Sequence, residues 1–174
     1  MGWKALEYAA FQTMLEEEGV AGIVPTWQLW RVDADYAARC GTEYFAVVPE
    51  ERWRDIVPAL KLIRDEVIPV TGPVEVVSAY RTPEINECVN GASASKHLGF
   101  SAVDLVASES SDRVDLFTDL CELHAKVGQA NRMGLGAYYD PSDPNFNQRG
   151  RFHIDAEGFR NWGRDYTRAT SPCG

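Results

Sequence analysis

The 174-residue sequence predicts an α+β fold, with a helical N-terminal third followed by a small, mostly antiparallel sheet with helices packed on one face. Three observations carry this. Apolar residues recur at helical spacing through the first 70 residues. From residue 74 the period shortens to that of strands. Short strand candidates then alternate with a helical stretch and with a loop rich in Pro, Asn, Asp and Gly.

Taken in order, Trp3, Leu6, Ala10 and Met14 repeat at helix spacing and stop at Gly19, which suits the residue just past a helix C-terminus. Asp33 to Cys40 forms a second, short helix closed by Gly41. "EYFAVV" (43–48) is expected to be a strand. Trp53, Ile56, Leu60, Ile63 and Val67 mark an amphipathic helix, with Pro58 as a kink or boundary. "PVEVVSAY" (73–80) reads as a strand, and Pro83 suits the first turn of the helix after it.

"SAVDLVA" (101–107) is the next strand. A helix follows from about Ser111, with Val114, Phe117, Cys121 and His124 on one face. His124 lies on that apolar face and reads as a core histidine. "GLGAYY" (134–139) and "RFHIDA" (151–156) complete the sheet, joined by the exposed loop "DPSDPNFNQRG". The expected organisation is one domain over 1–174: a mainly helical part (1–70), a core (71–165) and a tail (166–174).

Bulk properties exclude some functions. A net charge of −9 with no Lys/Arg cluster argues against a nucleic-acid partner, since phosphates need a basic face. The amino terminus has no continuous apolar stretch and carries three consecutive glutamates, so neither a signal peptide nor a membrane span is expected. The expected product is cytoplasmic as synthesised and monomeric by default. Cys40, Cys88, Cys121 and Cys173 make no C-x-x-C pair and read as buried or incidental thiols.

Polar groups on strands that should be apolar point to chemistry. Strand side chains alternate faces, so Phe152 and Ile154 share one side of "RFHIDA" while His153 and Asp155 share the other. Asp104 interrupts the apolar "SAVDLVA", and a carboxylate buried there needs a cation. His97 lies seven positions earlier and converges on Asp104 only if the chain turns, for which Gly99 offers a place. His97, Asp104 and His153 then make a His-His-carboxylate set with an open position, the usual make-up of a catalytic zinc site. Asp155 is the matching general base. The alternative is that each histidine is an ordinary hydrogen-bonded residue and Asp155 a solvated strand carboxylate.

Three blocks, in order, resemble the zinc D-alanyl-D-alanine carboxypeptidase family of murein peptidases, whose fold is shared by D-Ala-D-Ala dipeptidases, some phage endolysins and the hedgehog signalling domain. "VVSAYRTPEIN" looks like S-x-Y-R-[ST]-P-x-x-N. "VNGASASKHLGFSAVDL" resembles G-A-x-x-S-x-H-x-x-G-x-A-x-D. "GRFHIDAEGFRNWG" is similar to a terminal F-x-H-x-D-x-x-G-x-x-x-W block. The resemblance implies that His97, Asp104 and His153 are zinc ligands. It implies that Arg81 holds a substrate carboxylate or the developing oxyanion, that Ser95 shapes the loop by hydrogen bonding, and that Asp155 is the base.

Some relatives place an acid three residues before the final histidine; here that position is Gly150, and Glu157 is a weaker substitute. The glycine three residues after the first histidine is Phe100 here, with Gly99 one place earlier. The implied function is a Zn2+-dependent peptidase cutting a bond next to a D-amino acid in peptidoglycan stem peptides, as carboxypeptidase or endopeptidase. A phage origin, with delivery to the wall by another route, fits the amino terminus. The alternative on the same scaffold is a non-catalytic zinc-containing binding or phage structural module.

Overall fold

The computed structural model describes residues 2–108, 112–143 and 145–174, with side chains from residue 4 onward. Ser111, the expected start of the last helix, and the side chain of Trp3 lie outside these residues. The chain divides into two compact units, 1–61 with 76–103 and 62–75 with 104–174.

Helix α1 (Gly2–Glu17) ends near Gly19, whose φ of +69° is the left-handed conformation expected past a helix end. The buried face differs from the expected one. Phe11, Met14 and Leu15 are buried while Leu6 is 75 % exposed. The aromatic ring at position 11 selects the face, because it packs against Trp30, Trp53 and Phe100 at centroid distances of 5.5, 5.6 and 6.0 Å.

Helix α2 (Ala34–Cys40) starts one residue later than expected and ends where expected. The Asp33 carboxylate accepts from the amides of Asp35 and Tyr36, and Gly41 closes the helix at φ +64°. "EYFAVV" is not a strand: it makes one bridge, Arg31 with Phe45. Tyr44 and Phe45 are exposed, so the segment lacks the half-buried pleated surface on which strand propensity depends.

The amphipathic stretch around residues 53–67 is helical but segmented. A 3-10 turn (Glu50–Ile56) leads into α3 (Val57–Leu62), a π-helical turn (Ile63–Val67) and α4 (Ile68–Thr71). Pro58 marks the boundary, as second residue of α3. Helix α5 (Pro83–Cys88) starts at Pro83 and is capped by the Thr82 hydroxyl, which accepts from the Ile85 amide at 3.3 Å. Helix α6 (Arg113–Val127) is capped by Asp112 and buries Leu116, Phe117, Leu120, Leu123 and His124. Val114, expected on the same face, is 54 % exposed.

Strands β1 (Val74–Ser78), β2 (Ala102–Ala107), β3 (Gly134–Ala137), β4 (Phe152–Asp155) and β5 (Arg160–Trp162) form one mixed, mostly antiparallel sheet in the order β1-β2-β4-β3-β5. Strand β3 runs antiparallel to β4 and parallel to β5. The α+β class and the helical first part are therefore as the sequence predicts. Strand β5 was not anticipated; three residues are too few to display a period.

The cysteines correct the sequence reading. Cys40 is bonded to Cys88 and Cys121 to Cys173, and none is free. The partners lie 48 and 52 residues apart, at the ends of α2 and α5 and between α6 and the tail. Such pairing depends on tertiary neighbours and leaves no spacing signal in the chain. Among the described residues no helix is long and apolar enough to cross a membrane.

Candidate metal centre

Strands β3 and β4 carry much of this centre. Their antiparallel register sets Gly134 opposite Asp155 and Gly136 opposite His153, so each glycine shares a face with the polar side chain beside it. Both glycines are required by space. A Cβ on Gly134 would lie 2.3 Å from Asp155 Oδ2, and one on Gly136 would lie 2.8 Å from the Cβ of His153 and 2.9 Å from the Trp162 indole. Trp162 stands beside Gly136 in the parallel register and packs its ring 5.0 Å from the His153 imidazole.

Asp104, buried in the middle of β2, faces His153, whose Nδ1 lies 2.9 Å from Asp104 Oδ1. The other Asp104 oxygen pairs with Arg151. On the opposite side of the imidazole, His153 Nε2–H donates to Asp155 Oδ2 at 3.2 Å. Burial pulls the His153 pKa down, but the hydrogen bonds and charges of Asp104 and Asp155 outweigh it and the net shift is upward. For Asp155, burial pushes up, and His153, the Glu157 amide and Arg160 together hold the carboxyl below its ordinary range.

His97 arrives from the other side of the sequence, in a 3-10 turn over Lys96–Gly99. Its Nδ1–H donates to the Ala79 carbonyl at 2.6 Å, which leaves Nε2 as the lone-pair nitrogen. The turn ends at Gly99, and Phe100 caps it. Phe100 holds φ +57°, the left-handed conformation glycine normally supplies, with its ring fully buried against Phe11 and Tyr80. The chain turns at Gly99 as the sequence expects, but the left-handed conformation falls one residue later, where burial of an aromatic ring offsets its backbone cost.

His97, Asp104 and His153 are brought together. Each is buried, and each offers one ligand atom within 4.8 Å of the others. The set fits a divalent cation: one anionic oxygen, two nitrogens, one imidazole fixed by a carbonyl and the other by a carboxylate.

Asp155, expected from the sequence to be the general base, is carried on β4. It lies behind His153, is fully buried, and accepts from Arg160 at 2.6 and 3.2 Å and from the Glu157 amide at 2.9 Å. Its geometry is that of a carboxylate orienting an imidazole. Arg81, expected near substrate, is buried, donates to Ser78 Oγ at 3.4 Å and stacks over Tyr36 at 5.2 Å. Ser95 opens the 3-10 turn that carries His97, but its side chain makes no capping bond there. Glu157 is exposed, and Gly150, expected from the resemblance to lack the acid that some relatives place there, takes φ +65°. His124 is the core histidine expected: Nε2–H lies 3.2 and 3.1 Å from the carbonyls of Met133 and Arg160, and the ring stacks on Phe159.

Four further residues belong to this neighbourhood. Arg151 shares a strand face with His153 and Asp155 by simple alternation, a signal that was present in "RFHIDA". Arg160 and Trp162 come from the unanticipated β5. Tyr138 accepts from Trp162 Nε1 at 3.3 Å; burial, and then the charge of Asp104, push its phenol pKa upward, so it keeps its proton.

The family model described as Peptidase M15 matches residues 21–136, a span holding Arg81, Ser95, His97 and Asp104 but ending before His153. Comparison with curated proteins gives no match, and neither does comparison with solved structures.

Proposed function

The chain belongs to the peptidase M15 family, and we propose that it is a zinc-dependent peptidase hydrolysing a bond next to a D-amino acid in peptidoglycan stem peptides. The observation that carries the reading is the approach of His97, Asp104 and His153 to within 4.8 Å of one another, buried and each with its outer hydrogen-bond partner. When bound, zinc supplies Lewis acidity toward the scissile carbonyl and makes water nucleophilic near neutral pH.

The chain's own groups divide the remaining work. His97 presents Nε2 and His153 presents Nδ1, because their other nitrogens are committed to Ala79 and Asp155. Asp155, itself neutralised by Arg160, holds the His153 ring. Arg81 offers a planar, permanently charged fork for the terminal carboxylate of the stem peptide. Ser95 sets the start of the turn that delivers His97. Action in the cell wall, reached from the cytoplasm by another route, is part of this proposal; the two disulfides support an oxidising destination.

The second reading is a non-catalytic zinc-containing binding module. Gly150 in place of an acid and the engagement of Asp155 by Arg160 favour it. One experiment separates the two: elemental analysis of the purified protein together with a murein digest resolved by product mass. The peptidase reading expects stoichiometric zinc and new products, both lost in His97→Ala and Asp104→Ala. Zinc without products assigns the module.

A further inference from the structure

Asp104 is gripped by two residues of one neighbouring stretch of chain. Strand β4 lies beside β2 in the sheet, and side chains two apart on a strand share a face. His153 Nδ1 lies 2.9 Å from Asp104 Oδ1, and the guanidinium of Arg151, two residues earlier, pairs with Oδ2. The two oxygens are not equivalent. Because Nε2–H of His153 is committed to Asp155, Nδ1 turns a lone pair toward Oδ1, and these two electron-rich atoms need a proton or a metal ion between them. Oδ2 already has a cation in Arg151.

The chain holds Arg151 in place for this contact. Asn147, at φ +49°, clamps its backbone: Asn147 Oδ1 accepts from the Arg151 amide at 2.8 Å. Its Nδ2 donates to the carbonyls of Arg151 at 2.8 Å and Tyr138 at 2.6 Å. The Gly150 amide closes the turn on the Asn147 carbonyl at 2.9 Å, and Arg113 on α6 donates to the Phe146 carbonyl at 2.9 Å. The Asp104 side chain is 1 % exposed and that of Arg151 21 %, so this is not a solvated surface pair worth little.

We infer that Arg151 is a positioning residue: by occupying Oδ2 it confines Asp104 to coordination through Oδ1 alone. A carboxylate free on both oxygens binds a cation through one or two. A second oxygen would take the position that a catalytic site keeps open for water. The inference rests on the reading of His97, Asp104 and His153 as metal ligands; the pairing of Arg151 with Asp104 does not.

The test loads the full chain with cobalt(II), whose visible absorption is intense in four-coordinate sites and weak once a further ligand joins. Wild type should show the intense bands. Arg151→Gln releases Oδ2 and should lose much of the intensity per bound cobalt, while Arg151→Lys, which keeps a cation, should retain it. Asn147→Gly accepts the left-handed backbone, removes only the clamp and should show part of the same loss. A wild-type spectrum in either Arg151→Gln or Asn147→Gly would overturn the role, and is the result expected if Arg151 served substrate alone. In metal-free protein, urea unfolding of Arg151→Gln, Asp104→Asn and the double variant should be non-additive. Additivity would overturn the pairing itself. A wild type that takes up no cobalt while the cycle stays non-additive would sink the metal centre and not the pair, so the two failures give different results.

Discussion

The carboxylate of Asp155 meets His153 Nε2 at 3.2 Å on the side of the imidazole away from Asp104. A carboxylate so placed fixes which nitrogen carries the proton and which faces the ion. Asp155→Asn keeps an acceptor oxygen but loses the charge that also engages Arg160. Metal affinity should fall by about 10–100-fold, measured by competition with a chromogenic chelator. A base would behave differently: turnover would vanish with metal affinity intact, and that result would reject the positioning role.

The glycines of β3 give the second prediction. Gly136→Ala drives a methyl to 2.8 Å from the His153 Cβ and 2.9 Å from Trp162, and none of these is the far end of a flexible chain. Overpacking of this kind costs about 1–3 kcal/mol, readable by urea unfolding, and metal affinity should drop with it. Gly99→Ala is the control. A Cβ there has its nearest neighbours at 3.6 and 3.7 Å, so stability should stay within ~0.5 kcal/mol. Equal losses at the two positions would show that crowding at His153 is not the cause.

Much of the centre was legible because the strand period is short and local. His153, Asp155 and Asp104 could be placed on faces by counting twos. What failed was whatever depends on a partner far away in the chain. The disulfides join residues 48 and 52 apart, and "EYFAVV" has strand composition but makes one bridge, Phe45 with Arg31, in place of a ladder. The surroundings of Asp155 were half legible for the same reason: adjacency to His153 was readable, but Arg160 on β5 was not. Leu6 and Val114 show the limit of helical periodicity, which gives a helix but leaves its buried face to the packing of Phe11 and Phe117.

Phe100 supplies a third prediction. Its left-handed backbone costs about 1–2 kcal/mol relative to glycine. Deleting a buried phenyl ring costs about 3–5 kcal/mol. Phe100→Gly should therefore destabilise the protein by roughly 1–4 kcal/mol in urea unfolding, even though it restores the glycine of the motif that the sequence resembles. A more stable variant would mean that the ring contacts with Phe11 and Tyr80 contribute less than the strain.

Disulfide content yields a fourth. Intact mass under non-reducing, denaturing alkylation should show no free thiol, since all four cysteines are bonded. With partners 48 and 52 residues apart, the chain-entropy model assigns each bridge about 4 kcal/mol. Reduction should lower the unfolding temperature markedly. A paired Cys121→Ser, Cys173→Ser variant should lose about 2–5 kcal/mol. Full alkylation of the untreated protein would refute the pairing.

His124 sets a pH dependence whose sign follows from its surroundings. Burial lowers its pKa below the ordinary 6.5, only partly offset by the carbonyls of Met133 and Arg160. The folded state therefore refuses a proton that the unfolded chain accepts once the pH falls below that ordinary value. More protons bound in the unfolded state means stability that rises with pH. The contribution is present in full above the unfolded pKa and is lost as pH falls toward the folded one. His153, shifted upward, acts in the opposite sense, so the wild-type profile alone mixes the two. The difference between wild type and His124→Gln cancels what they share. From pH 7.5 to 5, wild type should lose stability faster than the variant in urea unfolding, whatever the variant's absolute stability. Parallel profiles would show that the buried ring is protonated as readily in the fold as in the unfolded chain.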